Sequence, residues 1–326
     1  TEPKHPVVAR QRIRPASNEL QDAYDAIDAG ASHEVGEVTF ASNVAKILQE
    51  KCQSCHRPGE VAPFSLQTYD DARKHSAMIQ EVVDNRRMPP WHADPRHGSF
   101  ANDRSLTPIE RDTLLAWVDQ GSPLGDPSRI PAPKTFAEGW TIGTPDLVFE
   151  MPKDYTVPAQ GVLDYVRFRV PTNFTEDKWI QAAEAQPGDR SVVHHIVAYV
   201  DTHKDKDSKS DSGDLDHLCA YAPGDLPSQF PPGTAKKIPA GADLILELHY
   251  TPIGQMKIDR SRIGLILAKE PVTREAKTIP ILRMDFIIPP GEDNVGVSAS
   301  MTLPFDVRLL SLFPHMHLRG KDFRYN

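Results

Sequence analysis

The chain has 326 residues, 39% of them hydrophobic and 7% aromatic, enough for two or three domains with modest cores. Its 30 prolines and 19 glycines favour turn-rich β architecture over a helical bundle. A formal charge of −8 without any Lys/Arg block argues against a nucleic-acid partner, and no apolar run approaches the roughly 20 residues that span a bilayer. The chain starts at Thr1 with no basic-then-apolar segment, as a processed mature chain or a trimmed one would.

Residues 1–36 are polar and irregular, with only a weak helical stretch from Leu20 to Ile27, and read as a tail or strap. From residue 37 to about 127 the pattern is helical. Val44, Ile47 and Leu48 form an apolar stripe that runs into Cys52, and Ala72, Ser76, Ile79 and Val83 repeat at four, three and four along a second helix. A third helix opens at Thr107-Pro108-Ile109-Glu110, where Thr107 can cap, Pro108 suits the first turn and Glu110 completes a capping box. Leu114, Trp117 and Val118 give it an apolar side, and Gly121 is a natural stop. Residues 128–150 read as a linker with an entry strand.

From about Leu163 the period becomes two. Val166, Phe168 and Val170 alternate with Tyr165, Arg167 and Arg169, and Leu244, Leu246 and Leu248 alternate with Ile245, Glu247 and His249. Such strands, interrupted by the charged, Ser-rich loop Asp201 to Asp216, predict an antiparallel sandwich.

Three cysteines, two of them in one short motif, leave no disulfide framework. Cys219 reads as a small buried apolar residue. Cys52-Gln53-Ser54-Cys55-His56 is a C-x-x-C-H sequence, the attachment signature of c-type haem. Two thiols at this spacing can form thioethers to both vinyl groups while the adjacent imidazole reaches the iron. A zinc site would want a second ligand pair, and a thioredoxin-like motif would want a βαβ context; neither is present. For the other axial position Met88, on the stiff Arg87-Met88-Pro89-Pro90-Trp91 loop, is favoured. Met78 reads as core, and His75, His92 and His97 as surface rivals. A Met/His pair suits electron transfer, whereas an open sixth position would suit a haem peroxidase carrying a structural β-domain.

Five further histidines fall in three clusters: His194-His195, His249, and His315-Met316-His317. On a strand His315 and His317 would share a face about 7 Å apart, with Met316 pointing away. His194 and His195 are neighbours, so one ion can take both only at a strand end or twist, and His249 can close a three-histidine site. All-imidazole and imidazole-thioether sets favour copper, with zinc the competitor.

The order His-His, then Leu248-His249-Tyr250, then His315-Met316-His317-Leu318-Arg319-Gly320 resembles the copper type II, ascorbate-dependent monooxygenases, a family that includes peptidylglycine α-hydroxylating and dopamine β-monooxygenases. The resemblance covers roughly residues 145–326, with intervals of 54 residues from His195 to His249 and 66 from there to His315. It implies two jelly-roll-like domains, 151–268 and 269–326. An electron-donating copper would sit on His194, His195 and His249, and a dioxygen-binding one on His315 and His317. The haem segment resembles the cytochrome c modules fused to such domains in some bacteria.

The implied whole is a multidomain chain, a small all-α cytochrome c domain at 37–127 followed by all-β sandwich domains. It would carry one covalent haem c and one or two coppers, and hydroxylate a C–H bond of a small or peptide-like substrate with O2, drawing on an external electron donor. The family's methionine ligand lies downstream of the His-x-His, whereas Met284 and Met301 precede it, so the second domain is expected to be incomplete at Asn326 and to continue in the natural protein. A non-catalytic copper and haem electron-transfer protein is the alternative. Because c-type haem is matured outside the bacterial cytoplasm, an exported, periplasmic location is expected.

Overall fold

The structure, a computed structural model, describes residues 36–136, 139–202, 215–283, 285–316 and 320–325. The chain divides into two compact units, residues 1–136 with 313–326, and residues 137–312. No helix among the described residues is long and apolar enough to cross a membrane.

In the first unit a π-helical turn, Phe40–Val44, leads into α1 (Ala45–Lys51), followed by α2 (Tyr69–Lys74), α3 (Ser76–Asp84) and α4 (Pro108–Asp119). Helix α4 begins with its capping box formed: the Glu110 amide donates to Thr107 Oγ1, and the Thr107 amide donates to the Glu110 carboxylate. Val44, Leu48, Leu66, Ala72, Leu114 and Trp117 are buried together, and the Trp117 indole N–H donates to the Pro123 carbonyl at 3.0 Å.

The expected small all-α cytochrome c domain is not seen. Among the described residues the architecture is mostly β-sheet, with only about 17% helical, in four short helices. The terminators arrive early. The stripe Ala72, Ser76, Ile79, Val83 is not one helix, because His75 leaves the helical region at φ −107°, ψ 12° and divides it into α2 and α3. Arg86 takes φ 51°, which stops α3, and the prolines at 89 and 90 prevent any helical continuation through Met88. Met78 is exposed, not core.

The second unit holds the sheets. Strands β1 (Leu147–Glu150), β11 (Arg262–Leu267), β4 (Lys178–Gln186), β8 (Thr234–Ile238) and β12 (Arg274–Glu275) lie side by side in that order, with β7 (Ser228–Gln229) also on β4. A second sheet runs β3 (Val166–Pro171), β9 (Asp243–Tyr250), β5 (Val193–Asp201), β6 (Asp216–Tyr221). A two-stranded ribbon pairs β2 (Tyr155–Val157) with β10 (Lys257–Asp259). The inward faces of the two larger sheets share one core. Ile180, Ala183, Ile263 and Leu265 come from the first sheet, and Phe168, Ile196, Ala198, Leu244, Leu246 and Leu248 from the second. Gly264 is required by close approach, since a Cβ there would lie 2.8 Å from Trp140 and Pro145 side-chain atoms. At one end of the second sheet Arg169 bridges the buried carboxylates of Asp201 (2.7 Å) and Asp243 (3.1 Å), the pairing a buried charge requires.

In 269–326, where the start of a second and incomplete sandwich is expected, the described residues hold a single short strand. That strand, β12, is two residues long and joins β8 of the first sheet in parallel. Beyond it the described residues contain no strand, and large apolar side chains such as Ile287, Phe305, Leu309 and Phe313 are exposed. A strand exists only where a neighbouring backbone completes its hydrogen bonds, and no described segment does so here.

Candidate metal centre

The site is built on the outward face of the second sheet. Strands β5 and β9 are antiparallel with His195 opposite His249, and Val193 opposite Tyr250. Between those pairs β5 has an extra residue, His194, so that two residues oppose one. Such a bulge turns the strand locally. It resolves the difficulty of two adjacent histidines, which would otherwise face opposite sides of the sheet.

The three imidazoles converge, each offering a ligand nitrogen within 4.8 Å of the others. Their ring centroids stand 5.2–5.3 Å apart. The Nδ1 atoms of His194 and His195 are 3.2 Å apart. Two imidazole nitrogens bonded to one ion at about 2.0–2.1 Å stand roughly 3.3–3.6 Å apart, so this pair already has nearly the bite of a chelate. The buried Nδ1 of His249 has no hydrogen-bond partner among the described residues, an orphaned polar atom of the kind an ion would satisfy. Burial lowers the pKa of His194, and burial followed by the neighbouring His194 lowers that of His249. Both are thereby held in the neutral form that metal ligation needs. The donor set of three imidazoles and no carboxylate fits copper, with zinc the competitor.

Glu247, on the same face of β9, is not a ligand in this arrangement. Its carboxylate accepts from Arg167 Nε at 2.5 Å and from the Tyr199 hydroxyl at 3.4 Å. Tyr165, immediately before β3, stacks on His249 with centroids 4.9 Å apart and leans on His195 at 5.5 Å. Sequence reasoning missed this residue. The available signal was an aromatic in the polar register of a strand whose core face is Val166, Phe168 and Val170.

His315 is exposed, in a segment without helix or strand, and is not part of the three-histidine group. His317 lies outside the described residues.

In the first unit Cys52 ends α1, its amide donating to the Leu48 carbonyl at 3.0 Å. The Cys52 carbonyl then accepts from the amides of Cys55 (3.1 Å) and His56 (2.9 Å), a tight turn that gathers both thiols and the imidazole. Gln53 is buried and donates to the Leu66 carbonyl at 2.9 Å, while the Leu66 amide returns a bond to the His56 carbonyl. Nδ1 of His56 lies 3.1 Å from the Phe64 carbonyl. That contact assigns the proton to Nδ1 and leaves Nε2 as the ligand nitrogen. Burial is the main cause that lowers the His56 pKa, opposed by the Phe64 bond and aided by His75. Both motif thiols are free and half-buried, and burial pushes that of Cys52 up to about 12, with Cys55 and Glu110 adding to the shift. Met88 is partly exposed at the rim of a cavity that it shares with Val83, Trp91, Leu106 and Arg111. In donor chemistry these residues fit a haem held by two thioethers, one imidazole and one thioether sulfur.

Neither the protein-family models nor the curated proteins match this chain, so the reading of the site is carried by its own residues.

Proposed function

We propose that the chain is a copper- and haem-dependent oxidoreductase in which His194, His195 and His249 hold a copper, and Cys52, Cys55 and His56 hold a covalent haem with Met88 as its axial partner. The observation that carries the reading is the convergence of three imidazoles at a strand bulge, with one buried Nδ1 left unpartnered. A copper ion there would supply one-electron chemistry between its cuprous and cupric states, and a c-type haem would supply a second one-electron store. The chain's own contribution is to hold neutral nitrogens at ligand spacing, to keep the Glu247 carboxylate engaged with Arg167, and to fix the His56 tautomer through Phe64.

In this reading a haem held by Cys52, Cys55 and His56 would relay single electrons from an external donor, a copper held by His194, His195 and His249 would receive them, and the activity served would be C–H hydroxylation by O2 of a small or peptide-like substrate. The order of the histidine clusters supports that assignment, as does a donor set suited to redox copper. The reading also places the protein in an exported, periplasmic setting, where c-type haem is attached. The exposed position of His315 favours a second reading, a non-catalytic copper and haem electron carrier.

The deciding experiment expresses the chain with a c-type haem maturation system and measures copper and covalent haem per chain, together with reductant-driven oxygen uptake. Copper that is lost in H194A and H249A, and haem that survives denaturation, are the expected results. Absence of copper binding in the parent chain would sink the proposal. Copper and haem without any oxygen uptake would select the electron-carrier reading.

A further inference from the structure

His249 is held in an unusual way for a metal ligand. A ligating histidine ordinarily donates its second ring N–H to a carboxylate or carbonyl, which fixes the ring and raises its basicity. Neither ring nitrogen of His249 makes a hydrogen bond among the described residues, so with Nδ1 taken by an ion Nε2 has no such partner. The carboxylate nearest to it along its strand face, Glu247, is engaged by Arg167 and Tyr199 instead. The contacts that do hold the ring are aromatic: His194 and His195 edge-on, and Tyr165 stacked at 4.9 Å with an interplanar angle of 29°.

The position of Tyr165 is not explained by burial, since it is 48% exposed and lies on the face of β3 opposite the core. Register explains it. Val166 pairs with Leu248, so the next step outward sets Tyr165 abreast of His249, which is itself opposite His195. Three neighbouring strands thus present Tyr165, His249 and His195 in one row, at the separation where cross-strand side chains touch.

The geometry points to Tyr165 as a positioning residue that takes the place of the ring's missing hydrogen bond, fixing His249 by ring stacking and thereby biasing the site towards monovalent copper. A stacked ring restricts rotation without donating charge through a hydrogen bond, so the imidazole is a weaker donor than one backed by a carboxylate. The Glu247 carboxylate is held by Arg167 and the Tyr199 hydroxyl and makes no hydrogen bond to the ring, so it does not strengthen His249 as a donor. The hydroxyl is dispensable in this account, and the ring is not.

This inference rests on the proposal that the three histidines hold copper, and the test separates the two. Full-length parent, Y165F, Y165L and Y165M are loaded with Cu(I) anaerobically. Affinity is read by competition with a chromophoric Cu(I) chelator, the cupric form by electron paramagnetic resonance, and the copper potential by redox titration. Y165F should keep the parent's Cu(I) affinity, spectrum and potential. Y165L and Y165M should each lose about tenfold or more in Cu(I) affinity, the scale seen when a group that orients a ligating histidine is removed, with a lowered potential and altered copper hyperfine splitting. Thermal unfolding of the metal-free proteins reports folding, and Y165M, unbranched and half-exposed, serves if Y165L does not fold. Parent-like Cu(I) binding and spectra in the folded Leu or Met variant overturn the role of Tyr165 while leaving the copper site standing. A parent chain that binds no copper overturns both.

Discussion

At the scale of single residues, what matters is which protonation state the fold imposes. His217, on β6, has its pKa lowered to about 4 by burial, with repulsion from Lys236 adding to the shift and Asp216 opposing it. The unfolded chain takes up a proton near the ordinary value of 6.5 while the folded chain resists until about 4, so stability is lost as pH falls through that window. The effect is about 3 kcal/mol in full. Urea titrations of the metal-free protein at pH 7 and pH 4.5 should show this loss, and H217Q should show a much smaller one. An equal slope in H217Q would remove His217 as its origin. The cysteines differ in the same physical way. Burial pushes the thiols of Cys52 and Cys219 up to about 12, so in the haem-free chain at pH 8 both should alkylate slowly. Mass spectrometry after a short iodoacetamide pulse should find the label on Cys55 first.

At the scale of elements, the three-histidine site depends on one irregularity in a ladder. His194 is the extra residue of the β5 bulge, and the flanking pairs Val193 with Tyr250 and His195 with His249 are in ordinary register. Deleting His194 should therefore restore an unbroken ladder and leave the sandwich folded, while removing a ligand and the turn that aims it. Circular dichroism should be parent-like and copper binding lost; retained copper would show that His194 is not a ligand. Strand β11 carries the opposite kind of constraint. A methyl group at Gly264 would meet Trp140 and Pro145 at 2.8 Å, and G264A should cost about 1–3 kcal/mol in chemical denaturation.

At the scale of the whole molecule, backbone protection is uneven. Residues 147–267 carry nearly all the sheet hydrogen bonds, whereas the described residues from 277 to 312 form no strand and expose many large apolar side chains. Proteases cut where backbone is exposed and unpaired. Limited proteolysis should cleave first between about 277 and 312 and leave a fragment containing the sandwich and its three histidines. First cuts within β4, β5 or β9 would contradict this ordering.

Local chemistry was legible in the sequence because it depends on near neighbours. The capping box at Thr107 and Glu110, the alternation of Leu244, Leu246 and Leu248 with Ile245, Glu247 and His249, and the C-x-x-C-H spacing are all written within a few residues. The grouping of His194, His195 and His249 could be suspected from their clustering, but not how two adjacent residues would face one ion. The bulge that answers this is a property of β5 against β9, 54 residues apart at its histidines. Tyr165 became part of the site only through the register of three strands, and Phe64 was tied to His56 only by a turn closing through space. The all-α first domain failed as an expectation for the same reason. Periodicity shows which face a segment could bury, but not where a helix breaks, as at His75, nor whether a strand has a neighbour to complete its hydrogen bonds. Those depend on contacts between distant segments, and only the tertiary structure supplies them.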